Sequence, residues 1–237
     1  MRGVACYGSR AIAVPLYPRY ATRYYADDTK RDEDGGNMAS VKVKNVVFDM
    51  GGVLLKWEPL LYARRFADND EDAALLARVV FGSQEWAWAD AGAVSCETVA
   101  WTAKKRLPQR FHATVDDLVF RWFEKRELIE GMDELIHDLK HAGYGIYVLS
   151  NAADSFELYK HTLPGYECFD GIVVSWAEHV VKPDAAIYQR LLDRYGLEPS
   201  SCLFVDDVPM NVEGARRVGM RGWHFDGDVS ALRETLL

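Results

Sequence analysis

The chain predicts an α/β protein, a Rossmann-like parallel sheet core with helices on both faces and a helical cap insert. Three observations lead there. From Val41 onward, apolar runs of strand length alternate with amphipathic helical stretches, the pattern of parallel strands covered by helices. Four of the apolar runs lead into polar residues with similar chemistry, as strands ending at one pocket would. Between the first run and the second lie about 75 residues with no convincing strand, too long for an ordinary connection.

Residues 1–40 are set apart as a disordered N-terminal extension. Positions 1–26 carry Arg2, Arg10, Arg19 and Arg23 without one Asp or Glu, and 27–36 form a charged stretch ending in glycine. Two prolines and several tyrosines replace the amphipathic helical pattern of an organelle transit peptide. Met38 stands just before the first core strand and is an alternative translation start. The core is expected at 41–56 and 131–237, with the cap at 57–130.

Val46-Val47-Phe48 is the first strand and Asp49 closes it, opening into Gly51-Gly52-Val53-Leu54. A carboxylate at the end of a buried strand, followed by two glycines, suits a nucleophile or metal ligand in a pocket that backbone can approach closely. The cap segment reads as four helices, 59–67, 71–81, 96–106 and 115–128, with Ser95 as N-cap of the third and Thr114 with Asp117 as a capping box for the last. Five of the seven tryptophans fall there, Trp57, Trp86, Trp88, Trp101 and Trp122. They are expected to fill the cap's own small core, with substrate contact as the competing role. A helix over 131–142 follows, with Met132, Leu135, Ile136 and Leu139 on one face and Gly143 as its stop. The strand 146–149 leads into Ser150-Asn151, and 172–174 leads through a short loop to Lys182-Pro183. A helix over 184–195 repeats the amphipathic design before Gly196. The strand 203–205 ends in Asp206-Asp207, a short helix spans 211–218, and a terminal one spans 230–237.

Composition narrows the partners. A formal net charge of −8 with no long basic run argues against nucleic acid, whose binding rests on phosphate neutralisation. A small ligand fits better. Cys6, Cys96, Cys168 and Cys202 show no metal-ligand or disulfide spacing, so reduced cytoplasmic thiols are expected. No run approaches the roughly 18 apolar residues of a membrane span.

The strand-end residues make one chemical set. Phosphoryl transfer to a carboxylate needs an in-line nucleophile, a cation and donors for the non-bridging oxygens. Asp49 can supply the nucleophile and an oxygen ligand, and Asp206-Asp207 supply the hard oxygens that Mg²⁺ prefers.

Phe48-Asp49-Met50-Gly51-Gly52-Val53-Leu54, Val148-Leu149-Ser150-Asn151, Lys182-Pro183-Asp184 and Phe204-Val205-Asp206-Asp207 with Asn211 resemble, in order and spacing, the four motifs of the haloacid dehalogenase-like hydrolases. The resemblance covers about 41–227, and the insert is similar to the small helical cap of that family's first subclass. It implies that Asp49 attacks phosphorus and that Mg²⁺ is held by Asp49, Asp207 and the Gly51 carbonyl, with Asp206 more often an outer partner. Ser150 would bind phosphate through its hydroxyl, with the amides of Asn151 and Ala152 at hand and Gly52 counted in the same cradle. Lys182 would link nucleophile and phosphate, with Pro183 starting the next helix, and Asn211 would orient a metal-bound water or Lys182.

The chain departs from the common pattern at Gly51, where most phosphatases of that family carry an Asp that protonates the leaving group. Glycine there also occurs in a branch resembling sugar-1-phosphate phosphatases. Glu58 is the nearest replacement acid or base in sequence, and a solvated helix-start acid is its other reading. The histidines form no triad or metal spacing, and His179, though near Lys182 in sequence, is expected at the surface.

The expectation is therefore a magnesium-dependent phosphatase for a small phosphate monoester, sugar phosphates favoured, acting through an aspartyl phosphate as a monomer or homodimer. A metal-independent haloacid dehalogenase and a catalytically silent phosphate-binding module are the alternatives. Dehalogenases of the family usually show aromatic-Gly-Thr-Leu after the nucleophile. Gly51-Gly52-Val53-Leu54 and Asp206-Asp207 favour the phosphatase.

Overall fold

The computed structural model describes residues 42–237, so the expected disorder of 1–40 and the alternative start at Met38 lie outside the described residues. Five parallel strands, β1 (Asn45–Phe48), β2 (Gly145–Ser150), β3 (Gly171–Val174), β4 (Cys202–Asp206) and β5 (Arg221–His224), form one sheet in the order β3-β2-β1-β4-β5. The chain leaves β1 toward β2 and β3, then crosses back to β4 and β5. That reversal puts β1 at the switch point, where ligands of such sheets collect beyond the strand ends. Phe48 is level with Val148 and Val205, so Asp49 emerges between the ends of β2 and β4.

Side chains alternate between the two faces of a strand, and the apolar clusters follow that period. Val46 and Phe48, with Ile146, Val148, Leu203 and Val205, meet α6 (Met132–His141) and α11 (Val229–Leu236). Val47, Tyr147, Leu149, Val173 and Phe204 meet α9 (Ala185–Tyr195) and Ala215 of α10 (Pro209–Arg217) on the other face. The fifth strand was not visible in the sequence. Arg221-Gly222-Trp223-His224 has no apolar run because β5 is an edge strand with both end residues exposed.

The cap holds α1 (Pro59–Arg64), α2 (Asp70–Val79), α3 (Gln84–Asp90), α4 (Cys96–Arg106) and α5 (His112–Phe120), one helix more than expected. The unexpected α3 is too short to show two turns of periodicity. Its true signal is Ser83, whose hydroxyl accepts the Trp86 amide at 3.0 Å. Asn69 caps α2 in the same way, accepting from Asp72 at 2.9 Å. Ser95 does stand at the N-cap of α4 but makes no capping hydrogen bond. The Thr114 and Asp117 capping box does not form, because α5 starts earlier, out of a 3₁₀ turn, and Thr114 is already helical. The helix also stops at Phe120, since Arg121 leaves helical geometry and pairs with Asp117 and Glu124.

Trp86 and Trp122 are buried in the cap's aromatic core with Tyr62 and Phe81, and half-buried Trp57 lies 5.0 Å from the Trp122 ring. Trp88 and Trp101 are 46% and 62% exposed, so these two do not fill the cap as expected. Two short α-helices complete the α-helices among the described residues, α7 (Phe156–Tyr159) after β2 and α8 (Ser175–Glu178) after β3. Phe156 and Tyr159 join the cap's apolar cluster, with Tyr159 and Trp122 rings 5.4 Å apart.

Candidate active site

Beyond β1 the chain turns tightly. The Met50 carbonyl accepts the amides of Leu54 at 2.8 Å and Leu55 at 3.0 Å, and Gly52 donates to the Leu55 carbonyl at 2.7 Å. Gly51's own carbonyl takes no part in this turn, which keeps it available as an oxygen ligand. Gly52 has φ +78, and a Cβ there would fall 2.2 Å from Asp207 Oδ2. Only glycine fits both demands. Because its amide is spent on Leu55, Gly52 backs the Asp207 carboxylate and does not offer the phosphate donor expected of it.

One ammonium serves the buried end of this site. Lys182 Nζ lies 2.7 Å from Asp49 Oδ1 and 2.7 Å from Asp206 Oδ2, with almost no surface exposed on Lys182 or Asp206. Asp206 is saturated, since it also accepts from Val208 N–H at 2.8 Å and from the Asn211 amide at 3.1 and 3.0 Å. Asn211 therefore orients Lys182 only through Asp206. Asp49 Oδ1 is buried and meets Lys182 off the hydrogen-bond axis, so no aligned donor reaches it among the described residues.

Oxygens of Asp49, Asp206 and Asp207 come within 4.8 Å of one another. Three carboxylates against one ammonium leave two formal negative charges. Burial pushes Asp49 up to about 7, with Lys182 opposing and Asp206 adding to the rise. Burial and the neighbouring Asp206 likewise push Asp207 up to about 6. Burial alone would pull Lys182 down, yet Asp206 and Asp49 together outweigh it and hold its pKa up, so it stays charged. A hard, oxygen-only cluster with two uncompensated charges fits a divalent cation such as Mg²⁺.

Ser150 ends β2 at the same edge, buried. Asn151, whose backbone amide is expected at the phosphate, uses its side chain on Lys182. Its side chain accepts from Lys182 N–H at 2.8 Å and donates to the Lys182 carbonyl at 3.1 Å, so it grips the lysine backbone. The Ala152 amide, expected at the phosphate, donates instead to Ser175 Oγ at 3.0 Å.

Glu58 is an exposed N-cap residue of α1, and the acids that act most on Asp49 are Asp206 and Asp207. His179 is exposed, in a left-handed conformation. Two further residues lie beside the site, Trp57, read from the sequence as a cap-core residue with substrate contact as its other role, and Ser175, which that reading did not single out. Trp57 Cβ lies 3.3 Å from where a side chain on Gly51 would begin. Ser175, fully buried, could have been found, because it directly follows a strand run as Asp49 and Ser150 do.

The central strand, its terminal carboxylate and the lysine and acid pair around it define a hydrolase site of known type. The chain belongs to the haloacid dehalogenase-like hydrolases, whose family model matches residues 43–219. Among its relatives is the sesquiterpene phosphatase astK of Aspergillus oryzae, 25% identical over 195 residues, 81% of this chain and 94% of that protein. Flavin mononucleotide hydrolase 1 of Arabidopsis thaliana is 27% identical over 106 residues, 45% of this chain and 43% of that protein. Among solved structures, a HAD-like family hydrolase from Porphyromonas gingivalis superposes with a TM-score of 0.64 at 22% identity, covering 82% of this chain and 98% of that one. A HAD family enzyme from Bacteroides thetaiotaomicron, in complex with magnesium and inorganic phosphate, gives 0.60 at 16% identity, covering 80% and 98%. At these identities the structural likeness speaks for the fold.

Proposed function

We propose that this chain is a magnesium-dependent phosphatase that hydrolyses a small phosphate monoester through an aspartyl phosphate. The observation that carries the reading is Asp49 at the switch point, 2.7 Å from a buried Lys182 and clustered with Asp206 and Asp207. An Asp49 oxygen attacks phosphorus, and the bond from phosphorus to the ester oxygen breaks, its electron pair staying on that oxygen, which takes a proton from solvent to leave as the alcohol. Water then attacks phosphorus and gives up a proton to solvent, the bond from phosphorus to Asp49 breaks, and phosphate is released as the carboxylate is regenerated. Lys182 stays charged throughout and holds Asp49 in place, while Asp206 and Asn211 hold Lys182. Mg²⁺ bound by Asp49, Asp207 and the Gly51 carbonyl would supply the counter-charge that a dianionic ester needs beside this acidic cluster. By the motif resemblance the Ser150 hydroxyl, at the end of β2, would bind the phosphate oxygens.

Sugar phosphates are the class that the motif resemblance favours. A second class is favoured by Trp57, half-buried and packed at Gly51, where an acidic side chain would otherwise stand. An indole beside the leaving group suits an apolar or flat alcohol, and the relatives named for sesquiterpene phosphate and flavin mononucleotide hydrolysis support testing that class. The partner is a small phosphorylated molecule, with no nucleic acid or membrane involved. Among the described residues no helix is long and apolar enough to cross a membrane. A cytoplasmic monomer or homodimer completes the reading.

The test is phosphate release from sugar, prenyl, aryl and flavin phosphates with Mg²⁺ present, and trapping of ³²P on Asp49. Turnover that survives Asp49→Asn would reject the covalent route. Halide release from 2-haloacids without metal would favour the dehalogenase alternative, and tight phosphate binding without any turnover would favour the silent module.

A further inference from the structure

Lys182 is carried by the stretch 179–184 between α8 and α9, and both ends of that stretch are tied to α9. At the far end Asp184 caps the helix, its side chain accepting the Ala186 amide at 2.9 Å. At the near end stands Glu178, a buried carboxylate that closes α8. Its Oε1 accepts from Arg194 Nη2 at 2.7 Å and its Oε2 from Arg190 Nη1 at 3.2 Å. The same Arg190 nitrogen also donates to the Glu178 carbonyl, so side chain and backbone are both held. The two arginines stand one turn apart on α9 and are nearly half exposed, whereas the Glu178 side chain is 10% exposed. Taking a carboxylate out of water offsets much of what its partners return, so such a group is better suited to fixing a geometry than to adding stability.

The turn between those ends is imposed on the chain. His179, directly after Glu178, takes φ 54, the single positive φ on a residue other than glycine among the described residues. That conformation persists where the surroundings fix it. Val180 packs with the apolar cluster under α9, and the Asp184 amide donates to the Val181 carbonyl at 3.0 Å. Asn151 grips the backbone of Lys182 from the β2 side, and Lys182 Nζ lies 2.7 Å from both Asp49 and Asp206. We infer that Glu178, through Arg190 and Arg194, is a positioning residue that fixes where the loop 179–184 leaves α8, and thereby where the Lys182 ammonium meets the nucleophile. Asn151 is the second hold on the same lysine. Glu178 touches none of the reacting groups, so its effect is confined to the placement of one cation, for which an error of about 1 Å is worth about 100-fold in rate. The kinetic consequence rests on the phosphatase reading, whereas the hold on the loop does not.

The test uses the full chain and the variants Glu178→Ala, Glu178→Gln, Asn151→Ala and the Glu178→Ala, Asn151→Ala double variant, with circular dichroism as the folding control. Hydrogen exchange of the peptide bearing the Lys182 amide, which donates to Asn151 at 2.8 Å, reads the loop without any substrate. Protection there should fall in Glu178→Ala and persist in Glu178→Gln, whose amide oxygen still accepts from Arg194, while β1 and β4 peptides keep theirs in both. With the best ester from the phosphate screen, kcat should fall about 10- to 100-fold in Glu178→Ala, the scale of a misplaced catalytic group, while KM stays within about twofold. Glu178→Gln should recover most of kcat. Tyr144→Phe, which loses a hydrogen bond to the Leu236 carbonyl far from the loop, is the control for lost stability alone and should lower the melting temperature without changing kcat. In the double variant the kcat losses should depart from additivity, because both residues act on one lysine. Unchanged protection in Glu178→Ala, additive losses in the double variant, or a Glu178→Gln as impaired as Glu178→Ala would each overturn the inference. If Glu178→Ala fails to fold, Arg190→Ala and Arg194→Ala remove the ties one at a time and should show the same loss of protection and of kcat. Should no ester be turned over while the exchange pattern holds, the phosphatase reading fails and the hold of Glu178 on the lysine loop stands.

Discussion

Gly51→Asp returns an acid to the position two residues past the nucleophile, and its effect can be worked out in advance. Position 51 is not in the left-handed region, so the backbone accepts a side chain. The new Cβ would lie 3.3 Å from Trp57 Cβ and 3.5 Å from its Cγ, a contact relieved by a shift of a few tenths of an ångström. That places the packing cost near about 1 kcal/mol, the low end for overpacking. Positioned general acid help is worth about 10²- to 10⁴-fold, or about 2.7 to 5.4 kcal/mol at about 1.36 kcal/mol per decade. The gain exceeds the cost wherever departure of the alcohol is difficult. Single-turnover rates across phosphates of graded leaving-group acidity should therefore fall steeply in the wild type and more gently in Gly51→Asp, the lines meeting at nitrophenyl phosphate. A shallow dependence in the wild type would refute the reasoning, because it would mean that some other acid already serves. If the slope then steepened in Glu58→Gln, that acid would be Glu58 despite its exposed place on α1.

Asp49→Asn should abolish turnover and, in chelator, raise the melting temperature, more at pH 8 than at pH 5.5. Its folded pKa is raised to about 7, so between about 4 and 7 the native state holds a proton the unfolded state has lost, and stability falls as pH rises through that window. Lys182 keeps its Asp206 partner in this variant, and a lower melting temperature at pH 8 would contradict the account. Activity should require Mg²⁺ and collapse in Asp207→Ala, while undiminished rates in excess chelator would point to metal-free chemistry. Asn151→Ala removes two hydrogen bonds to Lys182 and should cost about 1 to 3 kcal/mol in denaturant unfolding; a neutral effect would mean that Lys182 is held without the grip.

What could be read from the chain was whatever local pattern dictates. Asp49, Ser150 and Asp206 follow or close apolar runs, and parallel strands bring such ends to one edge, so their meeting was legible. β5 was not, because an edge strand needs no apolar run. In the cap, Ser83 and Asn69 do cap helices, whereas Thr114 and Asp117 match the same signature without forming it. A capping motif reports only what a residue can do once the helix start is fixed, and here a 3₁₀ turn at 109–111 moved that start upstream.

The polar links around the site were hidden for a different reason. Asn151 and Lys182 are 31 positions apart, Ala152 and Ser175 are 23, and Ser175 and Asp90 are 85. Amides and hydroxyls carry no periodicity, and nothing local in a sequence says which backbone groups the fold will leave for them. Yet a buried donor or acceptor left unpaired costs about 1 to 3 kcal/mol, so the irregular loops at the strand ends must find such partners. The strand-end groups were legible because strands deliver them, and the groups that hold them became visible only with the loops in place. Asn151 shows the difference most directly: its position beside Ser150 suggested a backbone amide for phosphate, and nothing there announced that its side chain grips the backbone of Lys182.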